Sequence, residues 1–450
     1  MLRVTGDYVS CPGATAIFRT TISAHVVQCR LLDSIRFLAR ILMFSPASIL
    51  LMWLRGLLSI AVLAGGIYLA CRWYARLPEA TVIIQYNEDG TVTKTRVPAT
   101  FVQRVRSWRP GGDATTAFLA GGLFLLGLSS AGGWIYPRVF CRAGGFNPGE
   151  RPQSETSQIT RPDGTQLNVE TYGSKAAPRL IMTHGWGCDR QMWHYAVTQL
   201  SEHYRIVIWD LPGLGLSTQP LNGDYSVVKM ANDLRAVLEA TGSQPAVLVG
   251  HSIGGMITLT FCKLFPELLS RSVVGISIVQ STYTNPLRTT RFAGLLTAIE
   301  MPVIRPLLAL TIFLSPVVWL LNCLSYWNGS AHRSAARGSF AGQETRGQLD
   351  FAARYNLKVS PSVVARGMLG MLHYDAEKVL SQIQLPAQVI VGDLDSTTLP
   401  EAGTHMAGQM PQSKLLCLSP ARHLGFFEKY DEFNTVLHQF VSKCFSRPAG

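Results

Sequence analysis

Charged residues are scarce in this sequence, and no motif in it points to a metal site. Asp, Glu, Lys and Arg make up 15% of the 450 residues, whereas hydrophobic residues make up 47%. The nine cysteines are dispersed, with no C-x-x-C pair and no cluster with histidine, so neither a zinc site nor a disulfide framework is predicted. The formal net charge is +12, but no nucleic-acid-binding motif accompanies it. We therefore expect no metal, no cofactor and no nucleic-acid partner.

The first third of the chain contains two long apolar runs. Residues 56–71 carry no charge and follow an apolar stretch that only Arg55 interrupts, and residues 114–137 carry no charge either. Each run supplies the roughly 20 residues that a bilayer-spanning helix requires. A pair of buried core helices is the alternative, but uncharged runs of this length are rare outside membranes. We predict transmembrane helices at about residues 50–71 and 115–136.

The connector between the two runs has the pattern of a β-hairpin. An alternating segment at residues 81–86 is separated by a polar turn with glycine from residues 91–95. The sequence thus indicates a membrane region over residues 43–140, a multi-pass anchor of two helices in contact with membrane lipids. The arginines of the connector favour an external C-terminal region, whereas the arginines before and within the first run favour the opposite orientation.

Residues 1–42 lack both a clear periodicity and a cleavage site of small residues. They contain scattered arginines, so they do not resemble a cleavable signal peptide. Met43 begins a stretch with the composition of a membrane-protein start. We therefore interpret residues 1–42 as a disordered segment or as an extension that does not belong to the mature protein.

A G-x-S-x-G sequence at residues 250–254 is the most informative motif of the chain. A short apolar run, residues 246–249, precedes it and suits a buried parallel strand. Residues 255–265 follow with helix-like content and stop at Pro266. This is the context of a sharp turn that presents Ser252 as a nucleophile, since glycines leave room where strand and helix approach closely.

Three further loops each follow an apolar run that predicts a strand. The H-G-W-G segment at residues 184–187 follows the first run, and its backbone can aim an N–H at a substrate oxygen. Asp393 and Asp395 follow the second run, and His423 follows the third. The candidate groups therefore occur in the order Ser, Asp, His.

In these motifs the chain resembles the α/β-hydrolase superfamily, whose triads follow the same order. The segment D-L-P-G-L-G-L-S at residues 210–217 matches a turn typical of that family, and the resemblance covers roughly residues 156–445. It implies a serine hydrolase with an α/β-hydrolase fold, a mostly parallel, doubly wound sheet with a helical cap inserted at about residues 282–375. It further implies a catalytic triad formed by Ser252, Asp395 and His423.

Two positions depart from the family pattern. A proline usually lies four residues after the acid, whereas Pro400 lies five residues after Asp395, which leaves Asp393 open as the alternative acid. The spacing from the end of the preceding strand favours Asp395. Many members also have a glycine just before the histidine, where this chain has Ala-Arg, and this difference leaves the assignment of His423 unchanged.

These residue types support nucleophilic catalysis. A serine hydroxyl is a weak nucleophile at neutral pH, so His423 would accept the proton of Ser252 while Asp395 orients the imidazole. The N–H groups of Trp186 and Ile253 would form the oxyanion hole that receives the developing charge. Because the nucleophile is Ser and not Asp, we expect an acyl-serine intermediate and hence an ester, thioester or amide substrate.

The predicted cap contains another uncharged run, residues 306–327. It is long enough to span a bilayer, but it lies between strands of one sheet, and one crossing there would separate the two halves of the fold. We expect it to form cap helices around an apolar pocket or a lid that enters the membrane interface. The sequence thus predicts a membrane-anchored serine hydrolase that cleaves carboxylic esters, in particular small-molecule or lipid-like acyl esters.

Two other classes of function remain open on the same motifs. One is a different enzyme with this triad, such as an acyltransferase, a thioesterase, a peptidase or a C–C hydrolase. The other is a receptor that retains the fold and binds a ligand without turning it over, since fold alone does not determine function.

Overall fold

The computed structural model describes residues 48–446, apart from residues 88, 89, 112, 148 and 149. The segment at residues 1–42, for which we expect disorder or a foreign extension, lies outside these residues. The described chain begins with a pair of long helices and their connector. In this part, helix α1 spans Ser48–Ala75, strands β1 and β2 span Ala80–Tyr86 and Val92–Pro98, helix α2 spans Phe101–Ser107 and helix α3 spans Ala114–Phe140.

Helices α1 and α3 pack against each other as an antiparallel pair. A Cβ added at Gly65 would touch Leu125, whereas one added at Gly121, earlier in α3, would touch Leu69, later in α1. At Gly122 the backbones come close, since a Cβ there would lie 3.0 Å from a backbone nitrogen of α1. Small residues thus allow the two helices to pack tightly. Both helices are long and apolar enough to cross a membrane, and they contain the predicted spans.

The connector between α1 and α3 forms a two-stranded sheet and a short helix. β1 and β2 pair antiparallel along their whole length, as the alternating pattern predicts. Aromatic rings gather where the connector meets the helix pair. Trp73 and Trp108 pack edge to face with ring centroids 5.9 Å apart, and Tyr74 lies 5.5 Å from Phe101. The far end of the helix pair is therefore rich in the side chains that favour a membrane interface.

The rest of the described chain is built on an eight-stranded sheet. Its strands are β3 (Glu155–Thr160), β4 (Gln166–Tyr172), β5 (Arg179–Thr183), β6 (Arg205–Trp209), β7 (Ala246–His251), β8 (Val273–Val279), β9 (Ala387–Gly392) and β10 (Ser413–Leu418). The strand order is β10-β9-β8-β7-β5-β6-β4-β3. All neighbouring strands from β10 to β6 are parallel, whereas β4 runs antiparallel to both β6 and β3. This is the mostly parallel, doubly wound sheet that the sequence predicts.

Helices flank the sheet on both faces, and further helices fill the segment between β8 and β9. Before β8 lie α4 (His194–Leu200), α5 (Val227–Ala240) and α6 (Ile253–Leu264). Between β8 and β9 lie α7 (Ala293–Ala298), α8 (Arg305–Phe313), α9 (Ser315–Trp327), α10 (Ser330–Ser339), α11 (Arg346–Lys358), α12 (Pro361–Met371) and α13 (Glu377–Leu380). After β9 lie α14 (Pro400–Gln409), α15 (Gly425–Glu428) and α16 (Tyr430–Ser446). We call the helical segment between β8 and β9 the cap.

The sheet is buried on both faces because its central strands carry unbroken apolar runs. Every residue of β5, β7 and β9 is buried. In β5, Ile181 belongs to one core and its neighbour Leu180 to the other, as the alternation of side chains along a strand requires. The parallel strands all end at one edge of this buried sheet, and the loops that follow them meet there.

The apolar run at residues 306–327 forms two helices with a sharp bend. The helical segment that ends at Phe313 and the following α9 are bent by 96° at Leu314, so the run makes no straight span. The outer faces of α8 and α9 expose large apolar side chains. These are Leu310, Phe313, Val317, Trp319, Leu320 and Trp327.

The first half of α1 packs into the cap. A Cβ at Gly56 would lie 2.7 Å from Cβ of Leu321 in α9, so glycine is needed for this close approach. Ser59 Oγ lies 3.1 Å from Ser325 Oγ and accepts a hydrogen bond from Asn328 Nδ2 at 2.8 Å. The helix pair and the cap therefore form one packed unit.

Candidate active site

The G-x-S-x-G sequence forms a sharp turn between β7 and α6. Ser252 lies at the turn with φ +55°, a strained conformation for a residue with a side chain. A Cβ at Gly250 would collide with the backbone of Gly254, and a Cβ at Gly254 would collide with the carbonyl of Thr183 in β5. The two glycines thus permit the turn that holds the Ser252 hydroxyl at the carboxyl edge of the sheet.

The three side chains predicted to form the triad lie in one hydrogen-bonded chain. His423 Nε2 lies 3.1 Å from Ser252 Oγ, and His423 Nδ1 lies 2.8 Å from Asp395 Oδ2. Asp395 follows β9 and His423 follows β10, so two neighbouring parallel strands bring them to the same edge. All three residues are buried, with exposed fractions of 5% or less. The site thus contains a nucleophile, a base and a group that orients the base, each within hydrogen-bonding distance of the next.

Asp395 is held by other donors besides His423. The N–H groups of Thr397 and Thr398 donate to its Oδ1 at 2.8 and 3.1 Å, and the Thr398 hydroxyl donates to Oδ2 at 2.9 Å. Gln280, from the loop after β8, places its Nε2 3.4 Å from Oδ2. The sequence motifs identify neither Thr398 nor Gln280. Thr398 could have been predicted, because an Asp carboxylate often accepts hydrogen bonds from residues that follow it closely in a turn. Gln280 follows a different strand, and nothing in the sequence near Asp395 predicts its contact.

Asp393, the alternative acid, makes a different set of hydrogen bonds. Its carboxylate accepts from the Ser419 hydroxyl at 2.6 Å and from the Ala421 N–H at 2.8 Å. These bonds hold the loop that leads from β10 to His423, while the carboxylate of Asp395 meets the imidazole. The geometry therefore favours Asp395 as the partner of His423.

Two backbone N–H groups near the serine have no hydrogen-bond partner within the part of the chain that the structure describes. They belong to Ile253, the first residue of α6, and to Trp186, in the loop after β5. The first N–H groups of a helix lack intrahelical acceptors. The loop that carries Trp186 comes close to the serine at Gly185, because a Cβ added at Gly185 would lie 3.5 Å from Ser252 Cβ. The predicted oxyanion donors are thus free to stabilise negative charge on a substrate oxygen.

His184 and His251 lie beside the site, but their ring nitrogens hold the framework. His184 Nε2 accepts from the Leu211 N–H at 3.0 Å, and His251 Nε2 donates to the His423 carbonyl at 2.9 Å. Burial lowers the pKa of His184 and holds the pKa of His251 well below its ordinary value. Both imidazoles are therefore neutral and orient the loops around the serine.

The D-L-P-G-L-G-L-S turn supports the Trp186 loop through a buried ion-pair network. Asp210 accepts from the Arg190 N–H at 2.8 Å, pairs with the Arg190 guanidinium at 2.7 Å and accepts from the Leu216 N–H at 3.0 Å. Gly215 is required because a Cβ there would collide with the Asp210 carboxylate. Glu170 in β4 also pairs with Arg190, at 2.6 Å. The network fixes the segment that follows the predicted oxyanion loop.

The described residues contain no group of three or more His, Cys, Asp or Glu side chains that could hold a metal ion. The candidate site itself supplies a hydroxyl, an imidazole, a carboxylate and backbone N–H groups. Because these groups are buried, their electrostatic interactions are stronger than they would be in water.

Comparison with known proteins gives a family match and several relatives. Residues 178–295 match the family model described as the alpha/beta hydrolase fold. The provisionally named carbamate hydrolase RutD of Stutzerimonas stutzeri (strain A1501) is 26% identical over 274 residues, which cover 60% of this chain and 95% of that protein. A pimeloyl-acyl-carrier-protein methyl ester esterase of Vibrio parahaemolyticus serotype O3:K6 is 23% identical over 277 residues, which cover 62% of this chain and 98% of that protein.

Solved structures show the same fold. A thermophilic esterase from Thermogutta terrifontis matches with a TM-score of 0.53 and 21% identity, over 65% of this chain and 99% of that chain. A membrane phospholipase A, described as a bacterial virulence factor, matches with a TM-score of 0.52 and 19% identity, over 65% of this chain and 87% of that chain. The protein therefore has the α/β-hydrolase fold, which confirms the predicted fold class. The family match over residues 178–295 and the relatives that are named as a hydrolase and an esterase agree with this fold.

Proposed function

We propose that this protein is a membrane-anchored serine hydrolase that cleaves carboxylic esters, lipid-like acyl esters in particular. The observation that carries the proposal is the hydrogen-bonded chain from Ser252 through His423 to Asp395, on a strained turn of an α/β-hydrolase fold. The names of the two relatives denote hydrolysis of a carbamate and of an acyl methyl ester. Both reactions require attack on a carbonyl carbon, which is the chemistry that this arrangement supports.

In the proposed reaction, the Ser252 hydroxyl attacks the ester carbonyl while His423 Nε2 takes its proton. Asp395 holds the imidazole and stabilises its charged form, and the N–H groups of Trp186 and Ile253 donate to the oxyanion. The C–O bond to the alcohol then breaks, and His423 returns the proton to the leaving alkoxide. Water, activated by the same imidazole, attacks the acyl-serine and releases the carboxylic acid.

The helix pair has the dimensions of a membrane anchor. Trp53 and Trp73 of α1 are about 30 Å apart at 1.5 Å per residue, which is close to the thickness of the hydrocarbon layer. Along α3, Asp113 and Trp134 are about 31 Å apart by the same measure. Tryptophan favours the membrane interface, so a bilayer would cover both helices between these two levels.

The same geometry supports a cap that enters the membrane. Ser59 lies about 9 Å beyond Trp53 along α1, and it accepts a hydrogen bond from Asn328 at the end of α9. The tip of the cap would therefore lie within the hydrocarbon layer. Nearer the interface, where Trp53 contacts α8, the cap also exposes apolar side chains, with Phe313 81% exposed. A lid of this kind favours apolar acyl substrates that arrive from the bilayer.

A fluorophosphonate probe and a panel of esters with increasing acyl length test the proposal on the full chain in detergent micelles. Ser252→Ala should abolish labelling and lower turnover on the order of a million-fold, because the nucleophile is lost. Ser174→Ala, which removes an exposed hydroxyl after β4, is the matched control and should behave as the wild type.

Each result of this experiment bears on a different part of the proposal. Unchanged activity in the purified Ser252→Ala protein would contradict the catalytic assignment. A wild-type chain that binds esters without labelling or turnover would instead support a receptor. A rate that rises to an optimum at long acyl chains would support the lipid-like substrate class.

A further inference from the structure

Arg55 is a charged residue in the otherwise apolar first half of α1. Its Nε is buried without a hydrogen-bond partner, and no carboxylate pairs with its guanidinium among the residues that the structure describes. An ionisable side chain within a membrane helix is costly unless it faces a cavity or a partner, and such residues commonly mark functional sites. The position of Arg55 therefore indicates that a ligand binds there.

Arg55 lines a cavity that reaches the loop of the predicted oxyanion donor Trp186. The cavity has a volume of about 60 Å³ and lies between the start of α1, the Trp186–Gly187 segment and the cap helices α11 and α12. Trp186, whose N–H is a predicted oxyanion donor, fixes its indole to the cap through a hydrogen bond of 2.9 Å from Nε1 to the Val364 carbonyl. The wall of the cavity is thus part of the loop that would hold the oxyanion.

A second buried donor lines the same cavity. The hydroxyl of Tyr355, in α11, is buried beside the Cys188 thiol, which is a weak acceptor and leaves the phenol able to donate to a stronger one. Burial holds the pKa of Tyr355 well above its ordinary value, so the phenol keeps its proton and is a neutral donor. Buried polar groups are satisfied in most native structures, so the unpaired nitrogen of Arg55 beside this buried phenol indicates a missing acceptor.

The chemistry of the two donors defines that acceptor. A guanidinium has donors only and matches the paired oxygens of a carboxylate or a phosphate. The cavity has room for several atoms, since one water needs at least roughly 10–15 Å³ by the same measure, but an acyl chain does not fit. Arg55 also lies two residues beyond Trp53, at the level where lipid head groups meet the hydrocarbon layer.

We propose that Arg55 and Tyr355 bind the anionic group, a phosphate or a carboxylate, of an amphiphilic ester that enters from the membrane. This inference rests on the proposed function, because it names the substrate class of that same site. The anionic group occupies the cavity beside Trp186, and the ester carbonyl reaches the Ser252 hydroxyl on the other side of the oxyanion loop. Neutral esters lack this contact and are poorer substrates.

Selectivity between two esters with the same acyl chain tests the proposal. The full chain in nanodiscs of neutral lipid is assayed with 1-oleoylglycerol 3-phosphate and with 1-oleoylglycerol. In Arg55→Met, the ratio of kcat/KM for the phosphate ester to that for the neutral ester should fall about tenfold to a hundredfold, mainly through KM. Tyr355→Phe, a variant that keeps the ring, should lower the ratio about three- to tenfold.

Arg76→Met is the matched control, because it removes a positive charge just past the other end of α1, where Arg76 stacks on Phe118. Its ratio should stay within about twofold of the wild type, as expected for an exposed charge. If the site binds the anionic group of a lipid, inorganic phosphate should inhibit hydrolysis of the phosphate ester only weakly. If the site binds the free ion, inorganic phosphate should inhibit this hydrolysis strongly in the wild type but not in Arg55→Met.

The results separate this inference from the proposed function. If wild type labels with fluorophosphonate and hydrolyses both esters at equal rates, and Arg55→Met leaves the ratio unchanged, the anion site is wrong and the hydrolase stands. If Arg76→Met lowers the ratio as much as Arg55→Met does, the effect is one of surface charge, and the site is wrong. If wild type neither labels nor turns over any ester, the proposed function itself fails.

Discussion

At the scale of single residues, the candidate site depends on the carboxylate of Asp395, which accepts several hydrogen bonds. Thr397, Thr398 and His423 all donate to Asp395, so its orientation is fixed before a substrate binds. Electrostatic groups that are oriented in advance need no reorganisation during the reaction. The neighbouring Asp393 carries the same charge, but it is bound to the loop that precedes the histidine.

A pair of isosteric substitutions distinguishes the two carboxylates. Asp395→Asn should lower kcat on the order of ten-thousand-fold with substrate binding largely kept, because an amide presents the wrong partner to the imidazole. Asp393→Asn should lower kcat less than about tenfold, since the amide oxygen still accepts one of the two hydrogen bonds that the carboxylate receives from the loop. Steady-state kinetics on a short-chain ester give both values, and the reverse ranking would show that Asp393 is the acid.

At the scale of elements, the turn between α9 and α10 docks on α3 through glycines. A Cβ at Gly132 would collide with the carbonyl of Asn328, and a Cβ at Gly133 would collide with the carbonyl of Tyr326. Side chains of ordinary size would therefore push the helix pair away from the cap. The contact lets the pair of long helices, α1 and α3, hold the cap in place.

Two glycine substitutions in α3 test this contact. Gly132→Ala should cost about 1–3 kcal/mol, because the added methyl overpacks a backbone contact. Gly127→Ala in the same helix is the control, since its Cβ would meet no atom within 4 Å, and the unfolding midpoint should stay or rise. The unfolding midpoints are measured by intrinsic fluorescence in micelles, and equal midpoints for the two variants would contradict the tight contact.

At the scale of the whole molecule, the helix pair that we propose as an anchor is also part of the core. Ile49 and Met52 of α1 belong to the same apolar cluster as residues of the sheet and the cap. The Trp53 side chain donates from Nε1 to Thr311 Oγ1 in α8 at 2.8 Å. A helix pair joined to the rest of the protein only by a flexible linker would make no such contacts. We therefore expect the helix pair and the rest of the protein to depend on each other for stability.

Fractionation and deletion test the anchor. The full chain should remain in the membrane fraction through high-salt and carbonate washes, because two apolar spans hold it. A chain without residues 1–150 should lose activity or aggregate, since the cap then exposes the surface that α1 covers. Replacing residues 81–97 with a short Gly-Ser link is the control and should retain both membrane association and activity. A fragment of residues 1–150 that stays soluble after lysis would refute the anchor.

The sequence by itself determined the elements and the order of the site residues. Apolar runs of strand length placed Ser252 and Asp395 after buried strands and His423 after the edge strand β10, and the structure brings the three side chains together. Uncharged runs of spanning length gave the two long helices. These inferences succeed because strand burial, turn geometry and span length depend on residues close together in the chain.

Only the tertiary structure decided which distant groups meet. It paired Asp395 rather than Asp393 with the imidazole, and it added Gln280 to the carboxylate. It also placed Arg55 and Tyr355, three hundred positions apart in sequence, at one cavity. Such contacts depend on how whole elements pack against each other, and no periodicity within either segment encodes the position of the other.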